Sequence, residues 1–80
     1  MNITITAYGI AKDLLGSKHL ELELEQGADI SALKKVLFQR CPDFQKLKSL
    51  SYAVSDQYRE DSYKINEHQE VVIIPPVSGG

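Results

Sequence analysis

Four consecutive β-branched residues, Val71 to Ile74, run straight into Pro75 and Pro76. The four read as a strand buried on both faces, because a half-exposed strand alternates with polar residues. The two prolines carry no backbone N–H and hold φ near about −65°, so the hydrogen-bonded ladder must end where they begin. The stretch therefore sets a central strand close to the end of the sequence and expels the last residues from the sheet. Those residues are Val77, Ser78, Gly79 and Gly80.

The rest of the chain supplies partners for that strand. "NITITAY" alternates Ile3, Ile5 and Ala7 with Thr4, Thr6 and Tyr8, the period-two pattern of a half-buried strand. In "GIAKDLLG", Ile10, Leu14 and Leu15 suit one or two helical turns between Gly9 and Gly16. "HLELELE" directs Leu20, Leu22 and Leu24 inward and Glu21, Glu23 and Glu25 outward, and a one-residue slip would bury three carboxylates. The outward row is read as a solvated sheet face, with docking of a basic partner as the competing account.

Asp29 is placed to cap the helical segment beginning at Ile30. In "ISALKKVLFQRC", Ile30, Leu33, Val36 and Leu37 form one stripe of an amphipathic helix, with Lys34 and Lys35 on the wet side. Pro42 ends that helix at or before Cys41, and "DFQKLKSL" adds a short turn. "SYAVSDQY" and "DSYKI" read as two short strands. The order strand, strand, helix, strands predicts an α+β architecture: one mixed sheet, the main helix packed across a single face, the last strand central beside the first.

At 80 residues the chain makes one domain, taken as residues 1–74, with 75–80 as a protruding tail. A net charge of −2 leaves no basic footprint for nucleic acid or an anionic membrane, and the absence of tryptophan argues against base stacking. The opening "MNITITAYGIAK" lacks a cationic and apolar leader, and no apolar run approaches bilayer length, so a cytoplasmic protein is expected. The single Cys41 agrees with a reducing compartment and is read as a small core residue. His19 and His68 are read as solvated or turn residues, since no metal-ligand spacing is present. No acid–base pair, metal cluster or phosphate-binding glycine loop points to a stand-alone enzyme or to a cofactor bound by this chain.

The last six residues carry the chemistry. Pro75 and Pro76 stiffen the base of an arm that reaches roughly 20 Å when extended, and Val77, Ser78, Gly79 and Gly80 taper it. A tip without side chains enters a channel that any Cβ would block. Its carboxylate is a poor electrophile until ATP converts it to an acyl-adenylate, after which sulfur would give a thiocarboxylate and a lysine an isopeptide bond. A frayed terminus is the competing account; the stiff-then-narrow order argues against it.

"EVVIIPPVSGG" resembles the closing motif of molybdopterin synthase small subunits: an acidic residue, an apolar strand, two prolines and Gly-Gly. "ITITAYGIAKDLLG" is similar to that family's opening strand and short helix, with Lys12 and Asp13 near its usual Arg-Glu pair, and "GADISALKKVL" to its loop-to-helix segment. The resemblance implies a ubiquitin-like β-grasp fold and a sulfur carrier in molybdenum cofactor biosynthesis. It implies that a ubiquitin-activating-enzyme-like adenylyltransferase, using ATP and magnesium, adenylates Gly80, and that a sulfur donor converts it to a thiocarboxylate. Pro75, Pro76, Val77, Ser78 and Gly79 would then insert with it into the large catalytic subunit, in a complex of two small and two large subunits.

Two positions depart from the family. His68 and Gln69 stand where Gly-Asp usually precedes the glutamate, here Glu70, and Ser55 stands for an Asn. If position 68 needs φ > 0, histidine carries a steric cost that glycine avoids. A carrier for another pathway, such as thiamine thiazole synthesis, or a ubiquitin-like modifier would share the tail. Tyr8, Ile10 and the exposed side of the last strand are the expected docking surface.

Overall fold

The computed structural model describes residues 1–47 and 49–75. The elements run β1 (Asn2–Ala7), α1 (Gly9–Leu15), β2 (His19–Glu23), α2 (Ile30–Arg40), a 3₁₀ turn at Pro42–Lys46, β3 (Ser51–Val54), β4 (Gln57–Tyr58) and β5 (Glu70–Ile74). They form one five-stranded sheet in the order β2-β1-β5-β3-β4. The first and last strands lie side by side and parallel, Ile5 opposite Val71 and Ala7 opposite Ile73, while the other pairings are antiparallel.

The period-two pattern sets which face is covered. Ile3, Ile5 and Ala7 of β1, Leu22 of β2, Tyr52 and Val54 of β3, and Val71 and Ile73 of β5 are buried in one core with Ile30, Leu33 and Leu37 of α2. Each fully buried Ile or Leu contributes about 1.5–3 kcal/mol. Phe44 on the 3₁₀ turn and Ile65 in the long loop before β5 complete that core.

Several elements depart from the sequence reading. β5 is central but covered on one face only: Val71 and Ile73 are buried, whereas Val72 and Ile74 are half-buried on the open face. "SYAVSDQY" is a hairpin of two strands, because Ser55 and Asp56 both take positive φ (54° and 64°) as a type I′ turn requires. "DSYKI" contributes only an isolated bridge, Lys64 to Asp29. In α1 the fully buried residue is Ala11, which the sequence reading did not single out, while Ile10 is 46 % exposed. Lys34 is half-buried rather than fully wet: its Nζ bonds Asp61 Oδ1 at 2.6 Å and stands 5.2 Å over the Tyr52 ring.

The N-terminus of α2 has its first donors matched. Asp29 Oδ1 accepts from the Ala32 N–H at 2.9 Å, and the Ile30 and Ser31 N–H groups donate to the carbonyls of Tyr63 and Asp61. The irregular loop between β4 and β5 is thereby fastened to the helix by its backbone, without regular structure of its own.

Burial pushes the Tyr52 hydroxyl up from 10.0 to about 12, with the Asp61 charge adding to the shift. A raised value means that the stabilisation from keeping Tyr52 neutral is complete below pH 10 and lost as pH climbs toward 12. Urea denaturation should show a decline of about 2–3 kcal/mol across that window, absent in Tyr52→Phe.

His68 does adopt φ of 69°, in a turn tied to β1 by its N–H to the Asn2 carbonyl at 3.0 Å. His68→Gly should relieve that strain, and after glycine's greater entropy loss on folding a net gain of about 0.5 kcal/mol is expected in chemical denaturation.

Candidate functional site

The site begins where β5 ends. Its parallel partner β1 ends at the same edge of the sheet, so Ala7, Tyr8 and Gly9 lie beside the point at which the chain leaves at Pro75. Gly9 turns the backbone with φ of 58°, and a Cβ placed there would meet the Pro75 ring at 3.1 Å. Glycine is required twice over, for the left-handed turn and for the approach of the proline. Gly9→Ala should therefore cost about 1–2 kcal/mol and shift the amide resonances of residues 73 and 74, which a heteronuclear spectrum would show.

Tyr8 and Ile10 flank Gly9 and are each 46 % exposed, as the sequence reading expected of a docking surface. Lys18 Nζ lies 5.2 Å from the Tyr8 ring centroid, holding the aromatic side chain at the exit point. Pro75 itself is half-buried. Pro76, Val77, Ser78, Gly79 and Gly80, the remainder of the expected tail and its reactive end, lie outside the described residues.

The open sheet face continues from the exit point. Ala53, Tyr58, Val72 and Ile74 line a groove of about 540 Å³, with Asp56 and Glu70 on its rim. Tyr58 is 71 % exposed there. Beside the groove, the buried Thr6 hydroxyl donates to the Glu70 carboxylate and lies 3.2 Å from His19 Nδ1. A hydroxyl has one proton to give, so the histidine nitrogen must be the donor in the second contact. Thr6 is thus a tie across β2, β1 and β5; the alternation alone places it outward with no role.

The other candidates keep structural places. Cys41 is half-buried against the core, its thiol donating to the Leu14 carbonyl at 3.4 Å. His19 and His68 are exposed. Among the described residues no three His, Cys, Asp or Glu side chains converge as metal ligands, and no helix is long and apolar enough to cross a membrane.

The sequence profile of the ThiS family matches residues 5–80. The chain belongs to the ThiS family. Among ThiS-like relatives, the molybdopterin synthase sulfur carrier subunit of Dictyostelium discoideum is 30 % identical, spanning 95 % of this chain and 93 % of its own. The fold is that of a ubiquitin-like β-grasp protein. It matches the putative molybdopterin converting factor subunit 1 of Pyrococcus furiosus at TM-score 0.89 and 20 % identity, over 96 % of this chain and 99 % of that one. It also matches, at TM-score 0.72 and 17 % identity over the full length of both chains, a complex of subunits 1 and 2 of the molybdopterin-converting factor of Helicobacter pylori.

Proposed function

We propose that this chain is the sulfur carrier subunit of a molybdopterin synthase, with the Gly80 carboxylate as the group that carries sulfur. Membership of the ThiS family and the likeness to a synthase carrier subunit over 95 % of this chain support the role. The observation that carries the mechanism is the junction at Pro75: a central strand ends, and the chain leaves the sheet against a glycine kept free of any side chain.

The chemistry divides between this chain and its partners. Bound to an adenylyltransferase, the Gly80 carboxylate attacks the α-phosphate of magnesium-ATP and releases pyrophosphate, leaving an acyl-adenylate. A hydrosulfide equivalent from a sulfur donor then displaces AMP and gives the thiocarboxylate. In the cytoplasm, residues 75–80 next enter the large subunit, where the terminal sulfur attacks the pterin precursor and displaces an oxygen leaving group; water then cleaves the acyl–sulfur bond, leaving the sulfur on the pterin and restoring the Gly80 carboxylate. A dithiolene holds two sulfurs, so each product consumes two charged carriers. The chain itself supplies presentation and is half of a sulfurtransferase, assembled as two small and two large subunits.

The decisive experiment is the intact mass of the full chain after incubation with ATP, magnesium, the adenylyltransferase and a sulfur donor. Exchange of one oxygen for sulfur at Gly80, followed by its loss on addition of the large subunit and pterin precursor, is expected. Sulfur uptake with no discharge would move the acceptor to another pathway, such as thiazole synthesis. Conjugation to lysines in place of sulfur would make the chain a modifier.

A further inference from the structure

We propose that the free edge of β2, with the groove between it and α2, docks an extended segment of a partner protein in which basic and apolar residues alternate. The proposal does not depend on the sulfur chemistry, and it concerns the opposite end of the sheet from Pro75.

The backbone of β2 is the starting observation. The Leu24 N–H donates to the Met1 carbonyl at 2.8 Å and the Ala7 N–H to the Lys18 carbonyl at 2.8 Å. With Ile3 opposite Leu22 and Ile5 opposite Leu20, the even-numbered residues 18 to 24 turn their N–H and C=O groups to β1. The odd residues, Glu21 and Glu23, turn theirs away from the sheet, where among the described residues they have no hydrogen-bond partner. β2 ends the sheet on this side, so those groups form a template for one more strand.

Side chains decide which strand can take the position. Residues paired across a ladder point to the same face, so an added residue opposite Glu21 or Glu23 would stand beside a carboxylate on the open face. Residues opposite Leu22 and Leu24 would point to the helix side. There a groove of about 370 Å³ lies between the strand end and α2, its apolar wall formed by Leu24, Ala28, Ala32 and Val36 and its other side by residues 23 and 25–27 of the strand end and loop. Positive charge at one position and a medium-sized apolar group at the next satisfies both faces. A second copy of β2 does not, because self-pairing sets a glutamate row against a glutamate row. The charges that repel self-association therefore select a basic partner.

The site also leaves the tail unobstructed. Glu23 pairs with Asn2 at the start of β1, whereas Pro75 lies against Gly9 beyond its end. A partner on β2 can hold the carrier while its tail is engaged elsewhere.

The test uses the full chain and an end-blocked, fluorescein-labelled peptide alternating lysine and valine over seven residues. Controls are the same composition in two blocks and a version with glutamate for lysine. The alternating peptide should bind at least about tenfold more tightly than either control. It should slow hydrogen exchange at the Glu21 and Glu23 amides and shift resonances of residues 28–36. The doubly substituted Glu21→Lys, Glu23→Lys chain should lose about tenfold in affinity while keeping its amide spectrum. Exchange in the unsubstituted chain decides the matter if that variant does not fold. Equal binding of block and alternating peptides, perturbation at Val72 and Tyr58 instead, or no binding would overturn the proposal.

Discussion

Removal of Gly80 alone will abolish thiocarboxylate formation and leave the melting curve unchanged. In the proposed mechanism adenylation needs one carboxylate at a fixed distance from the sheet, and deletion draws the new terminus back by about 3.3 Å and replaces it with that of Gly79. A displacement of that size is large against the sub-ångström placement that in-line attack requires. Val71 and Ile73 of β5 lie in the core and β5 ends at Ile74, so the core and the sheet among the described residues are complete before Gly80. Intact-mass analysis after ATP-dependent sulfuration, alongside circular dichroism during heating, checks both halves. A fall in melting temperature would mean that the last residues contribute to the fold.

The opposite result, loss of fold with the tail untouched, is expected of Ile5→Ala. Ile5 is fully buried at the middle of β1, paired with Leu20 on one side and Val71 on the other. Truncation removes three carbons from a site ringed by two ladders that cannot collapse inward, at about 3–4 kcal/mol. A domain of this length has roughly 4–12 kcal/mol in total. The urea midpoint should fall by about a quarter or more, and sulfur loading at 37 °C should fall with the folded fraction. Loading that recovers on cooling would separate this effect from damage to the tail.

Most of the sheet was readable because its signals are local. Ile3, Ile5 and Ala7, Leu22 and Leu24 of the leucine–glutamate alternation, and Ile30, Leu33 and Leu37 of the helical stripe bury as their spacing implies, while Leu20 and Val36 of the same two patterns are half-buried. The parallel pairing of first and last strands is consistent with the element order. The errors came from contacts between distant residues. Val72 and Ile74 look like core from composition, yet they face outward onto the groove beside Tyr58. Ile65 reaches the core from an irregular loop, whose anchoring through the Tyr63 and Asp61 carbonyls leaves no periodic trace. Ser55-Asp56 forms its turn without the Asn-Gly that announces one. At the site, Gly9 was legible only as a helix boundary; its contact with Pro75, 66 positions away, exists only once β1 and β5 align.

That alignment has a consequence for how the protein is made. The middle of the sheet is built from the first and last strands, so β1 has no neighbour on one side until residues 70–74 have been synthesised. Such sequence-distant pairing is slow to form and leaves a chain interrupted before β5 with an open ladder and an exposed apolar face. A truncated product is thus recognisable as unfolded and open to proteolysis, whereas a folded copy is one whose translation has already passed Ile74. Folding therefore reports that synthesis has passed β5, sorting chains that reached the base of the terminal arm from those that stopped before it.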